Sequence, residues 1–349
     1  SGAKPAIYPV RYRKKLSHII TDFFAPEVFI TNMGRCFGIG ASNLITNGKL
    51  AVVHDTFDVL TCLTSEEMHN RISIFPKSRM LRFNVSFKNH THFTQAANFL
   101  DATATNYAHW LTEILPKVAV FSKLGRLSGT PILIDDGLHP NFLEALHAII
   151  GENHPIIIVP PNHTVLCENL LLVSVVGYSC FGLRETHVAS NYPKYQTFNK
   201  LAFDILREIG ISHSKKIKKT FPKNIYLRRG STSRSLENER EILSELKNHG
   251  FAVIDVHELT FAEQVKLFNT AKNIVAPTGA ILANMLFSTQ RTNIVILFPY
   301  SKIANYGYWP NIAALNKVNI SYVLGEPSQQ YLEYHSNYSV DVFDILRAL

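Results

Sequence analysis

The sequence lacks several features that would place it at once in a familiar class of protein. None of its apolar runs approaches the roughly 20 residues of a membrane-spanning helix, so no such helix is expected within these 349 residues. It contains no G-x-S-x-G elbow, no Walker loop and no HExxH motif. These absences argue against an α/β-hydrolase, a P-loop enzyme and a zinc protease.

Cysteine and metal-ligand patterns are also sparse. The cysteines are scattered without CxxC or metal-finger spacing, and they are expected to be buried thiols. The pair His90 and His92 has no further ligand at a recognisable spacing. Asp135 and Asp136 end an apolar run and fit either a metal site or a turn followed by a helix N-cap. The sequence therefore predicts no metal and no cofactor. The four cysteines are Cys36, Cys62, Cys167 and Cys180.

The composition is that of a globular protein with an excess of positive charge. Hydrophobic residues make up 46% and charged residues 18%, so the chain is expected to fold throughout. The net charge of +8 is concentrated partly in RYRKK (11–15) and SKKIKK (214–219). Such runs are most often solvated lysines, and otherwise suit phosphates, nucleotides or an acidic membrane surface. No nucleic-acid binding is expected, because no aromatic-basic surface motif is present.

The length of the chain predicts two lobes, because it exceeds the size at which a single core usually stops growing. Residues 1–95 alternate short apolar runs with turn signals, and Asn47–Gly48 predicts a hairpin. This region is interpreted as a β-rich extension of the first lobe. Between 96 and 200, helix and strand patterns alternate, which completes a predicted N-terminal α/β lobe, 1–200.

The second half has a clearer α/β pattern. A linker helix and a basic crossover are predicted over 201–222, and a C-terminal helix over 331–349. Between 223 and 330, strands and helices alternate, and Thr260 with Glu263 predicts a capping box. By the right-handed crossover rule this order predicts a doubly wound, mostly parallel sheet. The predicted fold class is α/β, with two Rossmann-like lobes facing a cleft and a β-rich N-terminal extension.

The stretch NYAHWLTEIL, which starts at residue 106, predicts an amphipathic helix. Asn106 is placed to be its N-cap. His109 and Glu113 stand one turn apart, can share a hydrogen bond and form a common general-base arrangement. Taken alone they fit a solvated polar edge better than a pocket. Trp110, beside His109 at the start of the helix, favours a helix end that faces a pocket.

Two turns in the second half carry groups suited to an anionic ligand. Arg228, Arg229 and Arg234 lie at and after the end of a predicted strand, where arginines can make forked hydrogen bonds to phosphate oxygens. A surface loop with ion pairs to nearby glutamates is an equal alternative for the loop alone. Its position at the carboxyl end of a strand favours phosphate binding.

The second turn consists of Thr278, Gly279 and Ala280, with Asn284 further along the helix that follows. Small residues let a ligand approach the backbone, and the N–H groups at a helix start can hold a diphosphate. A plain tight turn is the alternative. Because both turns belong to the same predicted sheet, they are expected to serve one anionic ligand.

Three segments, in this order, resemble the family 61 glycosyltransferases. They are NYAHWLTEILPKVAVF (106–121), IYLRRGSTSRSLENEREI (225–242) and FAVIDVHELTFAEQVKLFNTAKNIVAPTGAILANMLF (251–287). Three ordered motifs are far more specific than one. The family includes plant β-1,2-xylosyltransferases, animal O-linked N-acetylglucosaminyltransferases of the secretory pathway and bacterial capsule-synthesis proteins.

The resemblance implies a GT-B-type fold and an inverting transfer, without a metal, from a nucleotide sugar to a hydroxyl of a glycan or glycoconjugate. The donor is usually UDP-linked, such as UDP-xylose or UDP-GlcNAc. The 1–200 lobe is then the acceptor side, and the 223–330 lobe binds the nucleotide sugar. A bacterial member is expected in the cytoplasm or at the inner membrane, and a eukaryotic member in the ER or Golgi lumen. One departure is Thr278, where family members often carry His.

The resemblance also assigns roles to the candidate residues. Glu113 is the expected base, with His109 orienting it or taking its place, and Asn106 and Trp110 lie on the acceptor side. The alternative is a non-catalytic module that binds a nucleotide sugar or a glycan. The basic segments are candidates for peripheral membrane contact. The expected donor contacts are Arg228, Arg229, Arg234, Thr278, Gly279, Ala280 and Asn284.

Overall fold

The computed structural model describes residues 4–16, 25, 27–52, 62–123, 127–178, 182–183, 197–230, 234–302, 304–329 and 335–349. The chain divides into two compact units. The middle unit runs over Phe24–Ile209, and the terminal unit combines Ser1–Phe23 with Gly210–Leu349. Of the cysteines predicted to be buried thiols, Cys36 and Cys167 are free and buried, whereas Cys180 lies outside the described residues.

Strands and helices alternate along much of the described chain. The strands are β1 (Ala6–Tyr8), β2 (Ile30–Asn32), β3 (Cys36–Ile39), β4 (Ile45–Thr46), β5 (Ala51–Val52), β6 (Cys62–Leu63), β7 (Ile72–Phe75), β8 (Met80–Phe83), β9 (His90–Asn98), β10 (Ile132–Asp135), β11 (Ile156–Val159), β12 (Thr164–Val173), β13 (Gly177–Tyr178), β14 (Gly182–Leu183), β15 (Thr197–Phe198), β16 (Asn224–Arg228), β17 (Ala252–Asp255), β18 (Asn273–Pro277), β19 (Asn293–Pro299), β20 (Asn319–Pro327) and β21 (Tyr338–Ser339).

The helices are mostly short. None of those in the described residues is long and apolar enough to cross a membrane. The α-helices are α1 (Ser65–Met68), α2 (Tyr107–His109), α3 (Leu115–Lys123), α4 (Pro140–Ile150), α5 (Lys200–Ser214), α6 (Glu239–Asn248), α7 (Phe261–Thr270), α8 (Tyr308–Asn316) and α9 (Val342–Ala348); a π-helical turn spans Trp110–Ile114, and 3-10 helices span Val10–Tyr12, Pro76–Ser78, Val256–Glu258 and Ala280–Phe287.

The middle unit is built on an eight-stranded mixed sheet in the order β11-β10-β9-β12-β3-β4-β5, with β2 beside β12. The strands from β11 to β12 are parallel, and β3, β4 and β5 continue antiparallel. The predicted hairpin at Asn47–Gly48 is confirmed, since it joins β4 to β5 and Gly48 takes a φ of 87°. Strands β2 to β5 of the β-rich entry are thus part of the main sheet, where β2 and β3 pair with the edge of β12.

The terminal unit contains a parallel sheet in the order β1-β20-β19-β18-β16-β17, with β21 antiparallel to β20. The predicted mostly parallel sheet is confirmed. Its strands from β16 to β20 follow the flavodoxin-like order 2-1-3-4-5, which places the topological switch point between β16 and β18. The predicted capping box is also present, because Thr260 and Glu263 bond each other's backbone N–H groups at the start of α7.

The N-terminal strand departs from the predicted organisation, which assigned residues 1–95 to the first lobe. β1 pairs with β20 in the terminal unit and covers the outer edge of its sheet. The basic run 11–15 follows directly, and two of its side chains make contacts within the chain. Arg11 forms an ion pair with Glu326. The Lys15 ammonium lies about 5 Å from the stacked rings of Tyr12 and Tyr300. At the other terminus, residues 331–334 of the predicted helix 331–349 lie outside the described residues, and the described part is helical in α9.

Candidate active site

The helical segment that starts at residue 106 is not a uniform α-helix. Asn106 caps it as predicted, by accepting a hydrogen bond from the N–H of Ala108 at 3.0 Å. Between α2 and α3 the chain forms a π-helical turn, in which the N–H of Leu115 donates to the carbonyl of Trp110, five residues back. Such turns are rare in proteins overall, but those that occur are often found at functional sites.

Gly177 in β13 is packed directly against this π turn. A Cβ built on Gly177 would lie 1.9 Å from the carbonyl oxygen of Thr112. Only glycine lets the two backbones come this close. The position of the π turn therefore depends on a residue more than sixty positions away in the sequence.

We expect Gly177→Ala to lower the free energy of unfolding by about 1–3 kcal/mol, because the added methyl group must push two backbones apart. Gly279→Ala is the matched control, since Gly279 has an extended backbone and its nearest neighbour would be 3.8 Å from the new Cβ. Urea denaturation of both variants measures the difference. Equal stability of the two variants would contradict the close packing of β13 on the π turn.

His109 and Glu113 form a half-buried pair on this segment, which we call the His–Glu pair. Nδ1 of His109 lies 2.8 Å from Oε1 of Glu113, and only 18% and 10% of the two side chains are exposed. Lys117, which lies one turn after Glu113 on the same polar edge of the segment, is buried too. This edge is therefore not solvated at these positions, and it holds two titratable groups in hydrogen-bond contact.

Trp110 is a core residue instead of the predicted acceptor contact. Its side chain is fully buried and stacks on Phe142, with ring centroids 5.7 Å apart. It belongs to the apolar stripe of the same helical segment, and that stripe packs into the unit. Asn106 is exposed, so its acceptor role stays a prediction.

Burial and charge set the protonation of the His–Glu pair. Burial alone lowers the pKa of His109, but the Glu113 carboxylate outweighs this effect by charge and hydrogen bonding, and the pKa rises from 6.5 to about 9. Burial raises the pKa of Glu113, although His109 and Lys117 pull it back. With its pKa raised to about 9, the His109 ring is charged at neutral pH and can donate from Nδ1 to Glu113, and Glu113 is the member of the pair that can accept a proton when it is ionised.

We expect the free energy of unfolding to depend on pH through His109. Its pKa is raised in the folded state, so the stability that the imidazolium contributes is fully present below pH 6.5 and is lost as the pH rises through about 9. The loss should reach up to about 3 kcal/mol. Urea denaturation across this range, compared with His109→Gln, isolates the effect. Parallel stability curves for the two proteins would rule it out.

Asp101 is a functional candidate that the sequence did not reveal. Its charge raises the pKa of both His109 and Glu113. Its carboxylate accepts hydrogen bonds from the N–H of Thr103, at 2.8 Å, and from the side-chain amide of Asn43. No spacing in the sequence indicates that Asp101 lies near the His–Glu pair, because its position depends on the loop after β9.

The two aspartates at the end of β10 both accept hydrogen bonds from backbone N–H groups. Asp135 is buried and accepts hydrogen bonds from the backbone N–H groups of Ala41 and of Asp101, the latter at 2.8 Å. Asp136 accepts from the N–H of Gly137 at 2.7 Å. In the part of the chain that the structure describes, no three His, Cys, Asp or Glu side chains are grouped to hold a metal ion.

The arginine loop and the glycine turn meet at the switch point of the terminal sheet, and we call this region the arginine–glycine edge. Arg229, which follows β16, donates from Nη1 to the carbonyl oxygen of Thr278, which follows β18. Nη1 also lies 3.8 Å from where a Cβ on Gly279 would stand. Ligands of open α/β sheets bind at this place, outside the carboxyl ends of the strands.

The electrostatics of this edge favour an anion. Burial, together with the nearby charge of Arg234, lowers the pKa of Arg229 to about 10. Two guanidinium groups are thus held close enough to repel each other. An anion placed between such groups would relieve that repulsion. Arg228, by contrast, is exposed at the end of β16, opposite Asp255 of β17.

Thr278 and Asn284 support the turn from inside. Thr278 is 2% exposed, and its hydroxyl accepts a hydrogen bond from Nε1 of Trp309 at 3.4 Å. Asn284 is fully buried and donates to Oε1 of Gln264 at 3.1 Å. The structure therefore gives Asn284 a packing role instead of the predicted donor contact, because the helix after the turn is buried at that position. Ala280 is half-buried and begins a 3-10 helix.

His257 also lies at this edge, although the sequence gave no reason to select it. A Cβ on Gly230 of the arginine loop would stand 2.7 Å from its Nε2 atom. The imidazole is exposed and follows β17. The loop is therefore held between Thr278 on one side and His257 on the other.

The comparison with known families covers the same part of the chain. A family model described as Glycosyltransferase 61 matches residues 107–295. The chain belongs to glycosyltransferase family 61. The matched region of this family 61 glycosyltransferase begins at α2 and ends within β19, so it contains both the His–Glu pair and the arginine–glycine edge. A search of curated proteins gave no match.

Family membership makes the chain a glycosyltransferase, an enzyme class whose members generally use a nucleotide-sugar donor and a glycan acceptor. Strands β1 to β9, β20 and β21 of this family 61 glycosyltransferase lie outside the matched region. Of these, β1, β20 and β21 belong to the sheet of the terminal unit, and β2 to β5 with β9 belong to the main sheet of the middle unit. The framework of the candidate site thus extends beyond the part that the family model describes.

Proposed function

We propose that this glycosyltransferase moves a sugar from a UDP-linked donor, such as UDP-xylose or UDP-GlcNAc, to a hydroxyl of a glycan or glycoconjugate, with inversion at the anomeric carbon. The observation that supports this most is the contact between Arg229 and the Thr278 carbonyl at the switch point. It brings together two loops that are each suited to a diphosphate, at the place where such sheets bind ligands.

In this proposal the arginine–glycine edge binds the donor diphosphate. Arg229 and Arg234 supply the positive charge that the leaving diphosphate needs, so the transfer requires no metal and no other cofactor. The Gly279–Ala280 turn lets the phosphate oxygens approach backbone N–H groups. Arg228 is the outermost contact, because it is exposed.

The His–Glu pair activates the acceptor. The acceptor hydroxyl loses its proton to the Glu113 carboxylate while its oxygen forms a bond to the anomeric carbon of the sugar. The bond between that carbon and the phosphate oxygen breaks on the opposite face, and its electron pair leaves with the diphosphate. The His109 imidazolium orients the carboxylate. Asn106, exposed beside this pair, is the proposed acceptor contact. The terminal unit is then the donor lobe and the middle unit the acceptor lobe of a GT-B arrangement.

A donor screen tests the proposal. Thermal shift across UDP-, GDP- and CMP-sugars should raise the melting temperature with UDP-sugars, because a ligand that binds only the native state stabilises it. Transfer to glycan acceptors should follow with the same donor, and should persist with a chelator present. Binding without transfer to any acceptor would instead favour a non-catalytic nucleotide-sugar module. If no donor binds, the proposed function is wrong.

A further inference from the structure

The hairpin of β7 and β8 carries a surface that the transferase function does not use. The two strands pair antiparallel and are joined by the 3-10 turn Pro76–Ser78. The register places Phe75 opposite Met80, and Ser73 opposite Arg82. Because side chains alternate along a strand, these four residues share one face of the hairpin.

The other face of the hairpin packs on the middle unit. Ile72 is buried in a small hydrophobic cluster with Ile39 and Leu44, and the remaining inward residues are packed against that cluster. The hairpin is therefore anchored by its inner face, and its outer face is available to a partner. The inward residues are Ile72, Ile74, Leu81 and Phe83.

The outer face ends in an exposed apolar pair at the tip. Phe75 is 47% and Met80 is 64% exposed, and every residue between them is exposed as well. Single exposed apolar residues are common, but these two are neighbours across the strands. A paired apolar tip on an anchored hairpin is suited to entering an apolar phase.

The chain segment that contains this tip carries charged side chains of one sign. The 33 residues from 68 to 100 contain five lysines and arginines and no aspartate or glutamate. Lys77 and Arg79 lie in the turn, and Arg82 lies beside Met80 on the outer face. Other basic runs are partly engaged within the chain, since Arg11 pairs with Glu326 and Lys219 with Glu263.

We propose that the tip of this hairpin docks on the surface of an anionic lipid bilayer. Phe75 and Met80 enter the boundary between headgroups and acyl chains, while Lys77, Arg79 and Arg82 contact the lipid phosphates. The apolar pair distinguishes this partner from a soluble polyanion, which offers no apolar phase to Met80. The inference does not depend on the identity of the sugar donor or acceptor.

Two double variants separate the two contributions. Phe75→Ser with Met80→Ser removes the apolar tip. Lys77→Ala with Arg79→Gly removes two charges, and glycine suits position 79 because Arg79 has a φ of 52°. All four side chains are exposed, so the melting temperature should stay close to that of the wild type. If a double variant does not fold, the single changes Met80→Ser and Arg79→Gly take its place.

Matched controls carry the same changes elsewhere on the surface. Leu201→Ser with Phe343→Ser removes two apolar side chains that are 61% and 69% exposed. Lys215→Ala with Lys216→Ala removes two exposed charges from the other basic run.

Co-sedimentation with vesicles of phosphatidylcholine, with and without phosphatidylglycerol, measures the docking. The wild type should bind only the vesicles that contain phosphatidylglycerol, and less so at high salt. Each hairpin variant should lower the partition coefficient by about tenfold or more, and each control should leave it unchanged. Equal losses in the controls, or binding that does not need Phe75 and Met80, would overturn the proposal. The proposal would also be overturned if the wild type bound a soluble acidic polysaccharide instead of the vesicles and the hairpin variants abolished that binding.

Discussion

Glu113→Gln is expected to lower kcat by about 100- to 10,000-fold while leaving the affinity for the nucleotide sugar unchanged. The amide keeps the shape of the carboxylate but cannot take the proton of the acceptor hydroxyl. The wild-type carboxylate is well suited to this task, because burial raises its pKa and His109 holds Oε1 at 2.8 Å. Steady-state kinetics and donor titration by calorimetry together separate the chemical step from binding.

Glu152→Gln is the matched control, because Glu152 is an exposed carboxylate in the same unit. It should leave kcat unchanged. His109→Gln should have a smaller effect than Glu113→Gln, since it removes the group that orients the base and not the base itself. Near-normal turnover of a folded, donor-binding Glu113→Gln would place the base on another residue.

Arg229→Ala is expected to lower kcat/KM by about 100- to 1,000-fold. The change removes a half-buried guanidinium that in the proposed mechanism stabilises the developing diphosphate charge, and it also releases the contact that joins the arginine loop to Thr278. Donor affinity should fall in the same variant. Arg229→Lys should recover only part of the loss, because an ammonium keeps the charge but lacks the planar fork.

Arg240→Ala tests whether this effect is specific, because Arg240 is exposed on α6 of the same unit. It should change kcat/KM little. If Arg240→Ala and Arg229→Ala had similar effects, the total charge of the unit would matter more than the position of one guanidinium. If Arg229→Ala bound donor and turned over normally, the diphosphate would lie elsewhere.

Local features that depend only on residues close together in the sequence could be predicted. The turn at Asn47–Gly48, the capping box of Thr260 and Glu263, and the N-cap at Asn106 depend on neighbouring residues alone, and all three are present. The sequence also placed the arginine loop and the Thr278 turn on the same sheet, and the structure joins them through Arg229. In a parallel sheet, turns after neighbouring strands lie at the same edge, and β16 and β18 are neighbours.

Features that depend on distant packing could not be predicted. The helical periodicity of 106–121 gave the correct stripe for Glu113, but it could not reveal that Gly177 would press on Thr112 and accompany a π turn. The same periodicity places Trp110 on the apolar stripe, and it was the neighbouring His109 that wrongly favoured a pocket for it. The role of Asn284 could not be predicted for the same reason. A polar side chain after such a turn can form its hydrogen bond with a buried partner, here Gln264, as readily as with a ligand.

The pairing of β1 with β20 has a consequence for the order in which the protein can be made. The middle unit is continuous in sequence and can fold while the ribosome is still translating the second half. The terminal unit cannot, because its edge strand β1 precedes the middle unit and its partner strand begins only at Asn319. The terminal unit is therefore expected to be completed only after the whole middle unit has been synthesised.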